Sequence, residues 1–375
     1  MSLNTETARE FEIGPIRPPS EAESLLLRIT RNCPWNKCRF CKLYREHKFS
    51  IRPFEEIKAD IDQVALYQDN ISCGIPENLY ELPEETMQRY VYIMRWMANG
   101  GGSVFLQDAN TMALSYDKLR EILAYLREKL PDVKRVTTYG RVDSLNKFTA
   151  EQLRGLKEAG LDRIHSGYES GSDKVLSLLN KGYVKAQEIE AGQKVKASGI
   201  ELSVYYMPGS GGKDLSCENA IETADVVSKV NPDFVRIRSF VAYSGTEIRD
   251  DIIAGRMAEC TDKGKMLELK QMIEHVEGAD GYLYSDHIIN LFENVNGSLK
   301  SDKGKMLSVF EEFEALSSED QRRYQLARRM GMVRSLSQMP RLSREQREII
   351  EKYHLQLDTE EAFEALLSKL LRRYM

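Results

Sequence analysis

Short apolar runs alternate with longer amphipathic stretches along the first two thirds of the chain. The runs are rich in β-branched and aromatic residues, which favours buried strands, and the stretches repeat apolar residues at helical spacing. Such an alternation of strand and helix predicts an α/β fold with a parallel sheet. The predicted strands are residues 25–29, 103–106, 133–138, 161–165, 200–206 and 234–237, and the helices between them include 116–129, 149–159, 185–197 and 217–230.

Beyond residue 243 this alternation fades. A short strand is predicted from Tyr282, then an amphipathic helix from Ile288, and residues 303–375 are predicted to be entirely helical. The change of pattern divides the chain into three predicted parts. These are an N-terminal segment at 1–23, the α/β region at 24–243 and a mostly helical region at 244–375.

The composition, with 42% apolar and 30% charged residues, is that of a soluble globular protein. No run of about 18 apolar residues could span a bilayer, and the polar residues 1–12 lack the apolar core of a signal peptide. We therefore expect a cytoplasmic protein without a membrane partner. The net charge of −5 argues against wholesale coating of nucleic acid but permits a local basic patch.

Candidate chemistry begins at residues 33–41, just after the first predicted strand. Cys33, Cys38 and Cys41 are close enough in sequence to close on one soft metal centre. A closed zinc or iron–sulfur site needs four ligands, whereas three thiolates on a four-iron cluster leave one iron free to bind a small molecule. Three cysteines therefore indicate a metal site in which one coordination position is left for a bound small molecule.

Two other interpretations of these thiols stay open. His47 could complete a Cys₃His zinc site, or the thiols could be buried and unreactive. Lys37 and Arg39, which are interleaved with the cysteines, argue against burial. The remaining cysteines are scattered along the chain, which argues against a disulfide framework, and they are Cys73, Cys217 and Cys260.

The three-cysteine loop, with the aromatic Phe40 before its last cysteine, resembles that of the radical S-adenosylmethionine (SAM) superfamily. The usual spacing there is C-x3-C-x2-C, and here the first gap has four residues. The resemblance implies a partial (βα)6 TIM-like barrel, here with a helical C-terminal extension, and chemistry at the C-terminal ends of the strands. It also implies two cofactors: a [4Fe–4S] cluster on the three cysteines, and SAM on the fourth iron.

A second motif follows the fourth predicted strand. Residues 167–171, Gly-Tyr-Glu-Ser-Gly, together with Lys181-Gly182 resemble the G-x-E-S-G…K-G stretch of one branch of that superfamily. The branch includes the oxygen-independent coproporphyrinogen dehydrogenases, the methylthiotransferases and related cobalamin-binding enzymes. The resemblance implies that Glu169 binds the ribose hydroxyls of SAM and that Lys181 binds its carboxylate. The alternative is a glycine-rich turn with a solvated Glu and Lys.

Other candidates stand at the remaining strand ends. Asp108 could pair with the SAM amino group or cap the next helix. Arg141 follows the third strand, and Met207 begins a glycine-rich loop that in the family passes the adenine. Arg236 and Arg238 share one strand face, which points either into the barrel, toward an anionic substrate or the SAM carboxylate, or outward. The cofactor-binding residues are accordingly predicted to be Phe40, Asp108, Arg141, Glu169, Lys181, Met207 and Arg238.

His287 is the predicted catalytic acid or base, with an exposed histidine beside a helix cap as the alternative. The C-terminal third has two open interpretations as well. It could pack at the barrel mouth and supply substrate contacts, or it could be a helical appendage that shields a barrel edge.

The resemblance implies an enzyme in which one electron from the cluster splits SAM, and the resulting 5′-deoxyadenosyl radical takes a hydrogen atom from a substrate. We expect a small-molecule substrate and a reducing partner such as flavodoxin or ferredoxin. Two alternatives are a tRNA-modifying radical SAM enzyme and a nucleic-acid-binding or scaffold protein with a structural metal site. Both would use a run of eight arginines on phosphates, namely Arg322, Arg323, Arg328, Arg329, Arg334, Arg341, Arg344 and Arg347.

Overall fold

Strands and helices alternate through most of the chain in this computed structural model, which describes residues 10–74 and 79–374. The strands are β1 (Leu25–Arg28), β2 (Thr30–Arg31), β3 (Ser50–Ile51), β4 (Ser103–Gln107), β5 (Arg135–Tyr139), β6 (Leu161–Glu169), β7 (Glu201–Tyr206), β8 (Phe234–Ile237), β9 (Tyr282–Tyr284) and β10 (Gly297–Ser298).

The α-helices are α1 (Phe54–Cys73), α2 (Glu84–Ala98), α3 (Tyr116–Lys129), α4 (Val142–Leu145), α5 (Ala150–Glu158), α6 (Asp173–Leu178), α7 (Lys185–Ala197), α8 (Ser216–Val230), α9 (Glu247–Ile253), α10 (Asp262–His275), α11 (Lys303–Glu314), α12 (Ser318–Arg329), α13 (Arg344–Leu355) and α14 (Glu360–Leu371). Short 3₁₀ turns lie at Pro19–Glu21, Leu79–Glu81, Thr111–Ala113, Leu336–Arg341 and Arg372–Tyr374.

The chain forms two compact units, and the cysteine loop contributes to both. The first unit contains the chain up to Asn36, Tyr44–Ser166 and Lys194–Leu202. The second contains Lys37–Leu43, Gly167–Gln193 and the chain from Ser203 onward.

In the first unit, β1, β4, β5 and the start of β6 pair in parallel. Leu25, Leu27, Val104 and Phe105 on these strands are fully buried. Such continuous apolar runs are expected where a parallel sheet is covered on both faces. Helix α1 packs against α2 and α3, and α3 packs against α5.

In the second unit, β7, β8 and β9 are parallel, and β10 is antiparallel to β9. Helix α10 packs against α8 and α11, and α12 packs against α13 and α14. The C-terminal helices share an aromatic core with the chain before them, because the ring of Tyr324 stacks on that of Phe292 with a centroid distance of 5.4 Å. Phe310 and Phe313 also pack on Phe292.

The predicted fold class is confirmed: the protein is α/β, with the parallel strands of a partial (βα)6 TIM-like barrel and a helical C-terminal extension. Each predicted strand has its counterpart, and α11 to α14 confirm the helical end of the chain. In the described ranges, 10–74 and 79–374, no helix has the length and apolarity needed to cross a membrane.

The helix predicted from Ile288 is wrong. Turns and the short strand β10 occupy this stretch. Here Arg328 donates hydrogen bonds to the carbonyl oxygens of Ile288 and Asn290, at 2.5 Å and 2.9 Å. A side chain from α12 thus satisfies backbone acceptors that would otherwise be paired within a helix.

Candidate functional site

The loop that carries Cys33 is closed at its base by the antiparallel pair of β2 and β3. Asn32 and Asn36 adopt φ values of 68° and 48°, which asparagine tolerates better than most residues. Their side chains donate hydrogen bonds to the carbonyl oxygens of Lys48 and Tyr44, respectively. The backbone N–H of Asn36 donates to the Cys33 sulfur at 3.4 Å.

Asp108, which directly follows β4, forms hydrogen bonds with residues of this loop. Its carboxylate is fully buried, pairs with Arg28 at 2.8 Å, and accepts hydrogen bonds from the Tyr44 hydroxyl and the Asn32 backbone N–H. Burial and the Asp108 carboxylate raise the pKa of Tyr44 well above its usual range, so the phenol stays a donor. The alternative role of Asp108 as a helix cap is wrong, because its acceptors serve the loop and β1 instead.

In the second unit, Cys38 is buried and Cys41 is half-buried. Between them, Arg39 pairs with Asp251 and Glu247 of α9. The backbone of this segment is held as well, since the Cys41 N–H donates to the Cys38 carbonyl at 3.1 Å. Arg39 therefore fastens the outer part of the cysteine loop to α9.

The cysteine loop fits a soft metal group by its donor chemistry. All six cysteines are free thiols, so no disulfide competes for Cys33, Cys38 or Cys41. Within residues 10–74 and 79–374, no three His, Cys, Asp or Glu side chains are already drawn together around a metal position. His47, the alternative fourth ligand, is exposed. The support for a cluster here is thus the set of three thiols in one loop.

Glu169 and Lys181, the two residues singled out in the motif at 167–182, lie side by side in the second unit. Glu169 ends β6 with a left-handed φ of 68°. The Lys181 ammonium is only 4% exposed, donates to the Gly167 carbonyl at 2.6 Å and lies 3.4 Å from the Glu169 carboxylate. A Cβ atom at Gly167 would stand 2.4 Å from the Glu169 oxygen, so a larger residue there would displace the carboxylate from its position beside Lys181.

Aromatic and apolar side chains surround this pair. The Lys181 nitrogen lies 5.8 Å from the ring centroid of Phe40 and 5.4 Å from that of Tyr183, which is the range of cation–π attraction. Phe40 packs against a buried cluster that includes Met207, and the Met207 N–H donates to the Glu169 carbonyl at 2.9 Å. The second unit thus brings Phe40, Glu169, Lys181 and Met207 together.

Arg141 belongs to the first unit, where it follows β5. Its guanidinium lies 5.3 Å from the ring centroid of Trp35 and donates to Asp143 at 2.9 Å. Its backbone N–H donates to the Asn110 side chain at 3.0 Å. Arg141 therefore packs on the cysteine loop, and its predicted contact with SAM stays a prediction.

His287 is half-buried, not exposed as the alternative prediction had it. Its Nδ1 accepts the backbone N–H of Ile289 at 3.3 Å. Burial, Arg238 and Arg328 lower the pKa of His287 to about 4. The imidazole is consequently neutral near pH 7, and its remaining proton lies on Nε2. Arg238 itself is exposed and donates its backbone N–H to the Tyr206 carbonyl at 2.9 Å.

Glu268 is a site residue that the sequence analysis missed. Its carboxylate is buried on α10 and accepts hydrogen bonds from Tyr206, Gly209, Ser216 and Asn219 at 2.6–2.9 Å. Burial raises the pKa of Glu268 to about 7, against the effect of these donors. The carboxylate fixes the glycine-rich loop after β7. Its sequence signal was a glutamate within the apolar face of a helix.

The arginines between residues 322 and 347 do not form one free basic surface. Arg328 is 1% exposed, and Arg329 is buried in a two-point ion pair with Asp262 at 2.6 Å and 2.8 Å. Arg323 forms another pair with Glu351 at 2.9 Å. The predicted basic patch is therefore wrong as a continuous phosphate-binding surface, because several of its charges are neutralised inside the second unit.

The sequence model of the Radical SAM superfamily matches residues 27–224, which is more than half of the chain. The chain belongs to the radical SAM superfamily. As a member it is an enzyme, and its cofactors are a [4Fe–4S] cluster and SAM. The matched region includes both motifs described above, the cysteine loop and the Glu169–Lys181 pair.

Two curated proteins show partial similarity. One is an uncharacterized methyltransferase of Pyrococcus horikoshii, 25% identical over 153 residues, which are 41% of this chain and 32% of that protein. The other is the tRNA-2-methylthio-N(6)-dimethylallyladenosine synthase of Aquifex aeolicus, 24% identical over 198 residues, 50% of this chain and 44% of that protein. The chain thus matches less than half the length of either relative.

A solved structure of archaeal Elp3 from Methanocaldococcus infernus is also similar. It has a TM-score of 0.42 and 16% sequence identity, and the similarity covers 60% of this chain and 58% of that one.

Proposed function

We propose that this radical SAM enzyme binds its cluster through Cys33, Cys38 and Cys41 and acts on a small-molecule substrate. The bound cluster supplies the electron that cleaves SAM, and the 5′-deoxyadenosyl radical so formed takes a hydrogen atom from the substrate. A reducing protein such as flavodoxin or ferredoxin delivers that electron. The observation that carries the proposal is the three-thiol loop within the matched superfamily region.

In this proposal the second unit holds SAM. The Lys181 ammonium pairs with the SAM carboxylate, and the Glu169 carboxylate accepts hydrogen bonds from the ribose hydroxyls. Both side chains are already positioned by neighbours, Lys181 by the Gly167 carbonyl and Glu169 by the left-handed turn that ends β6. Phe40 and Met207 supply an apolar wall that excludes water.

Four further roles belong to the same proposal. Arg141 and Arg238 would add positive charge for the SAM carboxylate, and a neutral His287 would hold or deliver a proton through Nε2. Asp108 would meet the SAM amine, although its contacts with Arg28 and Tyr44 support a structural role for it. In domain terms, we propose that residues 24–243 carry this chemistry, after a segment at 1–23, and that residues 244–375 contribute to substrate binding.

Cysteine substitution tests the cluster assignment. Cys33→Ala, Cys38→Ala and Cys41→Ala should each abolish cluster assembly, because two thiolates cannot hold a four-iron cluster that has three protein ligands. The exposed Cys73→Ala is the matched control and should keep its iron and sulfide. The measurement is iron and sulfide content after anaerobic reconstitution. Equal iron in Cys38→Ala and the unmodified protein would remove the basis of the proposal.

A tRNA substrate is the second candidate, and the observation that favours it is the partial similarity to the Aquifex aeolicus tRNA-modifying protein. The ion pairs of Arg323 and Arg329 leave fewer charges for phosphates than the sequence predicted. Binding of bulk tRNA across a salt series would decide, because phosphate contacts give an affinity that falls steeply with salt. A colourless, zinc-containing protein would instead indicate a structural metal site.

A further inference from the structure

Three parallel strands of the second unit align a row of polar aromatic and cationic side chains. The register pairs Tyr205 of β7 with Arg236 of β8, and Arg236 with Tyr284 of β9. Neighbouring strands lie about 4.8 Å apart, so the three side chains are direct neighbours on one face. The Arg236 guanidinium lies 5.0 Å from the ring centroid of Tyr284. All three residues stand at or next to the C-terminal ends of their strands.

The orientation of this face follows from the next residue along β7. The Tyr206 hydroxyl donates to Glu268 on α10 at 2.9 Å, so Tyr206 points toward the helices. Successive side chains of a strand point to opposite faces. Tyr205 and its neighbours Arg236 and Tyr284 therefore point away from α10. This answers the open question from the sequence, because the Arg236 face is not the one that α10 covers.

Two hydrogen-bond donors in this row lack an acceptor. The Tyr205 hydroxyl and the Arg236 Nε are buried, and neither has a hydrogen-bond partner among the described residues. Arg236 as a whole is 6% exposed. Its nearest carboxylate, that of Asp286, lies at 3.8 Å, beyond hydrogen-bond distance, and is half exposed. A buried donor without an acceptor destabilises the folded protein, so a ligand that supplies acceptors would recover this free energy.

The Tyr205 hydroxyl keeps its proton, and charges of both signs surround it: the guanidinium groups of Arg236 and Arg238, and the carboxylates of Glu169 and Asp286. Burial raises the pKa of Tyr205 to about 12, with Arg236 and Arg238 acting in the opposite direction, so the phenol remains a donor at neutral pH. The Glu169 carboxylate also acts on the pKa of Tyr205. Tyr205 therefore lies within electrostatic range of Glu169, the residue that we assign to the SAM ribose.

We propose that the Tyr205 hydroxyl and the Arg236 guanidinium form an anion subsite, which binds a carboxylate or phosphate group of the substrate. This inference rests on the proposed function, because it places the substrate at the strand ends beside Glu169. Arg238, two residues after Arg236, is exposed and adds a positive charge that also acts on the pKa of Tyr205. An oxyanion supplies several acceptor lone pairs, which matches the two unused donors. The site selects substrates that carry an anionic group and rejects their neutral analogues.

Two adjacent tyrosines offer a matched test. Tyr205→Phe removes the donor in the proposed subsite, whereas Tyr206→Phe removes one that faces α10. In the full chain with its cluster reconstituted, binding of radiolabelled inorganic phosphate is measured by equilibrium dialysis at constant ionic strength. We expect about tenfold weaker binding for Tyr205→Phe, a larger loss for Arg236→Gln and no change for Tyr206→Phe. Competition by acetate shows whether a carboxylate is accepted as well as a phosphate.

Stability gives an independent readout. Without an anion, Tyr205→Phe should leave the free energy of unfolding unchanged or raise it, because it removes an unpaired buried donor, whereas Tyr206→Phe should lower it. A structural role for the Tyr205 hydroxyl would lower it in both variants.

The proposal is overturned if neither phosphate nor acetate binds saturably, or if Tyr205→Phe and Arg236→Gln bind as the unmodified protein does. Loss of phosphate binding in Lys181→Met, but not in Arg236→Gln, would also overturn it, because the anion would then occupy the place assigned to the SAM carboxylate. Failure of the proposed function is recognised separately, by iron retained in Cys38→Ala while anion binding is intact.

Discussion

The buried carboxylates of this chain differ in the number and kind of donors that surround them. Asp108 pairs with Arg28, and Glu268 accepts four hydrogen bonds. Glu188 on α7 is fully buried with both carboxyl oxygens unpartnered among the described residues, and burial raises its pKa well above the usual range. The pKa of a buried carboxyl group therefore depends on its burial and on the donors around it, not on the residue type alone.

SAM binding should depend on the Glu169–Lys181 pair. Glu169→Gln and Lys181→Met should keep the cluster but weaken SAM binding by about 1–3 kcal/mol each, since each removes a hydrogen bond to a charged group. Lys174→Met is the control, because Lys174 is exposed and pairs with Glu218 away from this pair. The measurement is SAM affinity by equilibrium dialysis, with 5′-deoxyadenosine release as a second readout. Unchanged affinity in both variants would show that the motif has another role here.

The pKa of His287 predicts a pH dependence of stability. Its folded-state value of about 4 lies below the ordinary 6.5. Between these pH values the unfolded chain binds the proton and the folded chain does not, so the free energy of unfolding should fall as pH drops from 6.5 to 4. Urea unfolding across this window should show a smaller fall in His287→Gln, while the exposed His275→Gln serves as control. Identical slopes in His287→Gln and the unmodified protein would contradict the assignment of a neutral, half-buried imidazole.

At the scale of elements, the cysteine loop is held both at its base and at its outer part. Its base is closed by β2 and β3, and its outer part is fastened to α9 through Arg39. The sequence predicted a loop after a strand but not these anchors. Arg39 and Asp251 are far apart in sequence, and nothing local in either stretch marks them as partners.

Asp108→Asn tests whether the loop base depends on one buried charge. The substitution removes one of the two carboxylates that Arg28 contacts, because Glu12 stays at 2.8 Å, and the loss of a hydrogen bond to a charged group costs about 1–3 kcal/mol. It also gives the Tyr44 hydroxyl a weaker acceptor. We expect a lower free energy of unfolding in urea and faster proteolytic cleavage within residues 32–49. Asp132→Asn, at an exposed position, is the control. If the loop in Asp108→Asn resists protease as well as it does in the unmodified protein, the β2–β3 pair alone holds the loop in place.

At the scale of the whole molecule, the parallel strands could be predicted because each is a continuous apolar run, and that pattern is local. Glu169 and Lys181 could be singled out because their motif is compact, but their contact with each other was not predicted. The wrong predictions, the helix from Ile288 and the basic patch, have one common cause: the residues that decide these structures lie far apart in the sequence. Arg328 holds the backbone at Ile288 and Asn290 out of a helix, and Arg329 meets Asp262. From the sequence alone, an arginine whose acidic partner is so distant along the chain cannot be distinguished from an exposed surface arginine.

The C-terminal helices should therefore be required for folding of the second unit. Truncation at residue 310 removes Arg329 and leaves the Asp262 carboxylate, which is 4% exposed, without its cation. An uncompensated buried charge costs about 3–5 kcal/mol, and Phe292 would also lose its stacking partner Tyr324. We expect an insoluble product, whereas a chain that ends at Leu371 should stay soluble.

Arg329→Met isolates the ion pair in the full-length chain, and Arg344→Met, at a side chain that is 93% exposed, is its control. Arg329→Met should lower the free energy of unfolding by about 3 kcal/mol because it strands the buried Asp262 carboxylate, and Arg344→Met should change it little. Urea unfolding monitored by circular dichroism measures both. A soluble 310-residue product that retains its cluster, together with an unchanged stability of Arg329→Met, would show that the second unit folds without the C-terminal helices.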